Sequence, residues 1–143
     1  MFYLSMKFEP ELIGKTNEDK AKVDVLANVI KEVKKVVTTG CYDKNANRDA
    51  LKVICLKRMK PLIEQLGDNE YIIGDYMTYL DFVFLELCLL VNFITEGEFK
   101  YHNEPIANYM MRMREMPPVK EYIQSDHYMS KPFHNKIATI NNP

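Results

Sequence analysis

The run Phe82-Val83-Phe84-Leu85-Glu86-Leu87-Cys88-Leu89-Leu90-Val91-Asn92-Phe93-Ile94 is apolar at nearly every position. A helix of that composition has no polar face to offer to solvent, so it can be stable only among other helices or in lipid. Glu86 and Asn92 interrupt it, and its apolar length falls short of the ~20 residues needed to span a bilayer. The run therefore predicts the central helix of an all-α bundle. Its start is self-made: the Thr78 side chain can accept from the Asp81 amide while the Asp81 carboxylate reaches back to the Thr78 amide, so two orphan donors are satisfied reciprocally. Thr78 and Asp81 are read as structural residues, with Gly74 just upstream. Glu86, a carboxylate inside an apolar helix, needs a partner or a raised pKa, and a structural hydrogen bond is expected for it.

The chain has 143 residues and a formal net charge of -1, which suits one globular domain with a substantial core. Near-neutral charge argues against nucleic acid or an anionic membrane as a partner, since either needs a clustered excess of Lys and Arg. Cys41, Cys55 and Cys88 are odd in number and never in CxxC spacing, so no disulfide framework or zinc site is indicated and a reducing compartment fits best. His102, His127 and His134 share no ligand spacing on one helix, and no metal is expected. The first residues lack the pattern of a secretory or transit peptide, which makes the cytoplasm the default.

Residues 1–15 begin with a short amphipathic piece, broken at Pro10, that cannot be stable alone. Thr16-Asn17-Glu18-Asp19 is a second capping box, and Val23, Leu26, Ala27, Ile30, Val33 and Val37 recur at helical spacing toward an end near Gly40. Asn47 caps a further helix with Ala50, Val53, Ile54, Met59, Leu62 and Leu66 inward, Pro61 as a kink and Gly67 as the stop. Thr95 to Asn103 reads as a connection. Pro105 suits the first turn of a helix with Ile106, Tyr109, Met110 and Met113 inward. Pro117-Pro118 ends it, and a short helix with Val119, Tyr122 and Ile123 follows from the second proline. The segment from Asp126, with Tyr128, Pro132, Phe133 and Ile137, is expected to wrap over the bundle.

Gly74 and Asp75, the box Thr78-Tyr79-Leu80-Asp81-Phe82, and the close Pro118-Val119-x-x-Tyr122 together resemble the C-terminal helical domain of cytosolic glutathione transferases, most like the mu class. Gly14-Lys15-Thr16-Asn17-Glu18, Asp24 and Cys41-Tyr42 are similar to that class's entry into its first long helix and the tyrosine at its end. Ser125-Asp126-His127-Tyr128-Met129-Ser130-Lys131-Pro132 and Lys136-Ile137-Ala138 look like its tail. The resemblance implies a bundle of the transferase C-terminal type over residues 16–143. Residues 1–15, where Phe2-Tyr3-Leu4 resembles the last turns of a thioredoxin-like domain, then read as a remnant of that domain plus a linker. No residue matches the catalytic tyrosine or the cis-proline and serine motif that grip glutathione, so no catalytic residue of that half is expected here. Glutathione would be a co-substrate only if the missing domain were supplied.

The resemblance also assigns candidate residues. Tyr42 matches a tyrosine whose hydroxyl assists the electrophilic substrate; the alternative is a ring that anchors a helix end. Thr38, one turn before it, could line the same cleft or be an ordinary helix threonine. His134 and Asn135 match tail positions that close over the substrate pocket. Glu32 falls where an acidic residue reaches across the dimer to glutathione, or it is a solvated carboxylate among Lys31, Lys34 and Lys35. Lys31 and Lys35 depart from the apolar residues that the family presents to the cavity. The methionines read as core and edge filling, or as a Met-rich partner groove. Two functions follow: half of a glutathione transferase that conjugates glutathione to a hydrophobic electrophile as a homodimer, or a non-catalytic docking scaffold in a larger protein assembly.

Overall fold

Thr16 opens the first long helix as the capping box predicts: its hydroxyl accepts from the Asp19 amide at 3.0 Å and the Asp19 carboxylate accepts from the Thr16 amide at 3.1 Å. The computed structural model describes residues 2–45, 47–129, 134–135 and 137–141. The helices are α1 Phe2–Phe8, α2 Asn17–Tyr42, α3 Arg48–Leu66, α4 Tyr79–Ile94, α5 Glu98–Tyr101, α6 Glu104–Glu115 and α7 Pro117–Gln124, with 3-10 turns at Pro10–Ile13 and Thr139–Asn141. No strand occurs among the described residues, where an isolated bridge pairs Tyr71 with Gly74. None of the described helices is long and apolar enough to cross a membrane.

α2 buries Val23, Leu26, Ile30, Val33, Val37 and Cys41 on one face. It ends at Tyr42, two residues beyond the Gly40 near which the sequence places its end. Gly40 is a contact point rather than a stop, because a Cβ built there would lie 2.4 Å from Leu51 Cδ1 of α3. Gly40→Ala is therefore expected to cost about 1–3 kcal/mol by overpacking. Denaturant unfolding checks this, and the Gly40→Ala/Leu51→Ala pair should cost less than the sum of the two single changes.

In α3 the predicted caps hold, with the Asn47 side chain accepting from the Asp49 amide at 2.8 Å and Gly67 at φ 49° closing the helix. The inward stripe is corrected. Leu51, Cys55, Met59, Leu62 and Leu66 face the core, while Ala50, Val53 and Ile54 face outward. α3 is apolar on two sides, so counting apolar residues could not select the buried one. Pro61 stays inside the helix.

α4 sits at the centre, packed against α2, α3, α5 and α6. Phe84, Leu87, Cys88, Val91 and Ile94 have no exposed surface. It is not apolar all round, however: Glu86 opens to solvent with 65% of its side chain exposed and pairs with Lys34 at 2.8 Å. The partner expected for Glu86 exists, but it is a surface ion pair rather than a buried hydrogen bond.

The segment after α4 is built, not merely connecting. The Thr95 hydroxyl donates to the Val91 carbonyl at 2.9 Å and accepts from the Phe99 amide at 3.1 Å, which nucleates α5 and puts Phe99 fully inside. α6 buries Ile106, Tyr109, Met110 and Met113, as its periodicity predicts. α7 starts at the first of the two prolines rather than the second and has no fully buried residue. In the tail Ala138 and Ile140 are buried whereas Ile137 is 78% exposed, so the wrap runs through a different register; Pro132 and Phe133 lie outside the described residues.

Candidate functional site

Asp81 gathers three parts of the fold. Its carboxylate accepts from the Ile72 amide at 2.9 Å and from the Thr78 amide at 2.8 Å, and the Tyr109 hydroxyl donates to its backbone carbonyl at 2.8 Å. The capping-box geometry at Thr78 is present, but the Thr78 hydroxyl turns to donate to the carboxylate at 3.2 Å and the Asp81 amide bonds the Thr78 carbonyl at 3.1 Å. Gly74, at φ 154°, closes the turn that delivers the Ile72 amide, with Tyr71 and Gly74 exchanging backbone bonds at 2.9 and 3.1 Å. Asp81, Thr78 and Tyr109 are all buried to 0% exposure, and burial raises the Asp81 carboxyl while the hydrogen bonds oppose the rise. This is a clamp without access to a substrate.

The open chemistry lies at the other end of α2. Thr38 and Tyr42 stand one turn apart there, both half-buried. The tail is pinned beside them because the Thr139 hydroxyl donates to the carbonyls of Cys41, at 2.7 Å, and Asp43, at 3.1 Å, two acceptors that the helix end leaves free. That anchor sets the His134 ring 5.6 Å from the Tyr42 ring at 41°. His134 takes φ 61°, a left-handed backbone position that histidine adopts more readily than most residues. Burial first, then Lys34, hold its imidazole below the usual value, with Glu86 opposing. Lys34 and Glu86 thus join the site from α2 and α4, a pairing across fifty-odd residues that no local pattern announces.

Asn135 does not join them: it is exposed, and its side-chain oxygen accepts from the Ile137 amide at 3.1 Å to form a tail turn. Glu32 is also elsewhere. It lines a separate cleft of about 580 Å³ between α2 and α3, with Val33, Val36, Lys57, Arg58 and Pro61. The cysteines are free and buried, their thiols pushed up by burial, to about 11 for Cys41 and about 12 for Cys55. They are poor nucleophiles in that state. No cluster of possible metal ligands occurs among the described residues.

The sequence pattern of the glutathione S-transferase C-terminal domain matches residues 31–126. The chain belongs to the glutathione S-transferase family. Among its relatives are glutathione S-transferase Mu 5 of Mus musculus, 27% identical over 135 residues, and glutathione S-transferase Mu 7 of the same species, 26% identical over 141 residues. Glutathione S-transferase Mu 3 of Macaca fuscata fuscata is 26% identical over 135 residues. These alignments take in 92%, 96% and 92% of this chain but only 59%, 62% and 59% of the relatives. The chain thus spans about three fifths of the length of the curated relatives that it matches. The mu-like resemblance and the all-α class expected from sequence both hold.

Proposed function

We propose that this chain supplies the electrophile-binding half of a glutathione transferase. The glutathione-binding half, with the group that activates the thiol, comes from residues outside this stretch, in the same or another polypeptide. The observation that carries the reading is the Tyr42–His134 pair, a half-buried phenol ring 5.6 Å from an imidazole where the end of α2 meets the tail. When a thiolate adds to the β-carbon of an enone, its electron pair forms the new C–S bond and the π electrons move to the carbonyl oxygen. A positioned phenol stabilises that developing charge by donating a hydrogen bond. Tyr42 has this role, with Thr38 and His134 shaping the pocket around it. Glutathione is then a co-substrate, and the substrate is a hydrophobic electrophile. Cytoplasmic residence accords with three free cysteines.

The α2–α3 face is proposed to pair with a second copy. The cleft there carries Glu32 on one wall and Lys57 and Arg58 on the other, and Val53 of α3 is 67% exposed. A two-fold axis would set each Glu32 against the partner's basic wall. Glu32 would then sit at the interface, where an acidic residue could reach the other subunit's glutathione.

Passing the chain over immobilised glutathione, with its mass measured in the same run, tests both statements. The expected result is no retention and the mass of a dimer. Retention of the chain by itself would overturn the assignment of the glutathione site to other residues, and a monomer mass would remove the pairing.

A further inference from the structure

α4, α5 and α6 all touch one another, and a cavity of about 210 Å³ opens where they meet. Its apolar lining is Leu89 of α4 with Met110 and Met111 of α6. Helical spacing adds a polar residue to each of these faces, Asn92 three positions after Leu89 and Arg114 three after Met111, and α5 brings Lys100. Lys100 and Arg114 are exposed, and neither takes part in an ion pair among the described residues. Glu115, the acid in the lining, is drawn to Lys120 at 2.5 Å. The Asn92 carboxamide is oriented, because its oxygen accepts from the Lys100 amide at 3.1 Å, which leaves its NH2 group as a donor. The carbonyls that end α4 do not offset this positive charge: Val91 accepts from Thr95, Asn92 from Gly97 and Phe93 from Arg48.

We propose that this cavity binds aryl phosphate monoesters. The phosphate lies toward Arg114, Lys100 and the Asn92 amide, and the ring lies against Leu89, Met110 and Met111. A phosphate monoester carries a charge of about -1.5 to -2 near neutral pH, which matches two cations better than the single charge of a carboxylate. The guanidinium fork suits two phosphate oxygens at once, while the ammonium acts as a point charge on a flexible stem. Two adjacent thioethers favour an aromatic ring over a plain alkyl chain, since sulfur makes attractive contacts at ring edges. An apolar cavity of about 150 Å³ accepts benzene, so this one has room for a single ring with its phosphate at the mouth. None of these side chains belongs to the Tyr42 site, and the inference is independent of the transferase reading. Free aryl phosphates and phosphotyrosine side chains share this chemistry.

Titration of the isotope-labelled whole chain with phenyl phosphate, followed through its amide chemical shifts, reads the place and the affinity together. The expected Kd is on the order of millimolar, the range for so small a ligand, with shifts at Asn92, Lys100, Met111 and Arg114 and none at Thr38 or Tyr42. Lys100→Gln/Arg114→Gln should weaken phenyl phosphate about tenfold, the sum of two exposed charge contacts. Met111→Ala should weaken it about threefold and leave inorganic phosphate unchanged. Benzoate and inorganic phosphate should each bind more weakly than phenyl phosphate, and a control pair elsewhere, Lys20→Gln/Lys60→Gln, should change nothing. Shifts that avoid these residues, equal affinity for phenyl and inorganic phosphate, or an unchanged affinity in the Lys100/Arg114 variant overturns the inference. A phosphotyrosine peptide that binds at least tenfold more tightly than phenyl phosphate assigns the group to a protein side chain; equal affinity assigns it to a free small molecule.

Discussion

Asp81→Ala lowers the stability of this fold by about 3–5 kcal/mol, because it strands the buried Ile72 and Thr78 amides and the Thr78 hydroxyl without their acceptor. The Tyr109 hydroxyl keeps its bond to the residue-81 backbone carbonyl, so the loss falls on the 71–74 turn and the first turn of α4. Equilibrium unfolding in urea reads the difference. Asp81→Asn adds a pH test. Burial raises the carboxyl above its ordinary 3.8 despite the opposing hydrogen bonds. The folded state therefore holds this proton more tightly than the unfolded one. The contribution of that linkage is complete below about pH 3.8 and is lost as pH rises through the native value. The stability advantage of the parent over Asp81→Asn should accordingly shrink across that interval; a growing advantage would contradict a raised carboxyl.

Phe99→Ala is expected to cost a comparable 3–5 kcal/mol, the range for emptying a fully buried aromatic site. Here the physical point is different. Phe99 belongs to a four-residue helix that cannot persist on its own hydrogen bonds. It exists because the ring is inside and because the Thr95 hydroxyl takes the Phe99 amide at 3.1 Å. Emptying the ring site should release the whole 95–103 segment, so hydrogen exchange at the Phe99 to Asn103 amides should rise toward that of an open loop. Exchange unchanged from the parent would mean that the segment is held by its polar bonds alone.

These two residues also mark the boundary of what the sequence makes legible. Asp81 and Thr78 announce themselves because a capping box is a local pattern, four residues long, beside an apolar run. The same holds for Thr16 with Asp19 and for the stripe Ile106, Tyr109, Met110 and Met113. Phe99 is hidden, since two aromatics in a polar stretch, Phe99 and Tyr101, carry no period that says which one is buried. α3 misleads in the opposite way: with Val53 and Ile54 on one side and Leu51 and Cys55 on the other, periodicity supports two faces and only packing against Gly40 and α4 chooses between them. Glu86 looked enclosed because its neighbours along the helix are apolar, Phe82, Val83, Leu89 and Leu90 included, yet Phe82, Val83 and Leu89 are themselves only half-buried and its own direction points to Lys34 and solvent.

At the candidate site the family resemblance brought in Tyr42 and His134, and Thr38 followed as the residue one turn before Tyr42. The contact between His134 and Tyr42 depends on the Thr139 hydroxyl gripping the end of α2 from nearly a hundred residues away. Glu32 and Asn135 came from the same resemblance, but the chain places them apart from Tyr42, Glu32 in the α3 cleft and Asn135 in its own turn. A resemblance carries positions; it does not carry the side-chain partners that a changed sequence selects.

The central claim is that Tyr42 serves the electrophile while other residues serve glutathione. Its most direct test joins a mu-class thioredoxin-like domain to this chain and measures conjugation of glutathione to an enone in the parent and in Tyr42→Phe. The prediction is conjugation above the uncatalysed rate in the joined protein, and a fall in kcat on the order of tenfold to a hundredfold in Tyr42→Phe, with the KM for glutathione unchanged. A folded joined protein in which Tyr42→Phe turns over the enone as fast as the parent would contradict the account.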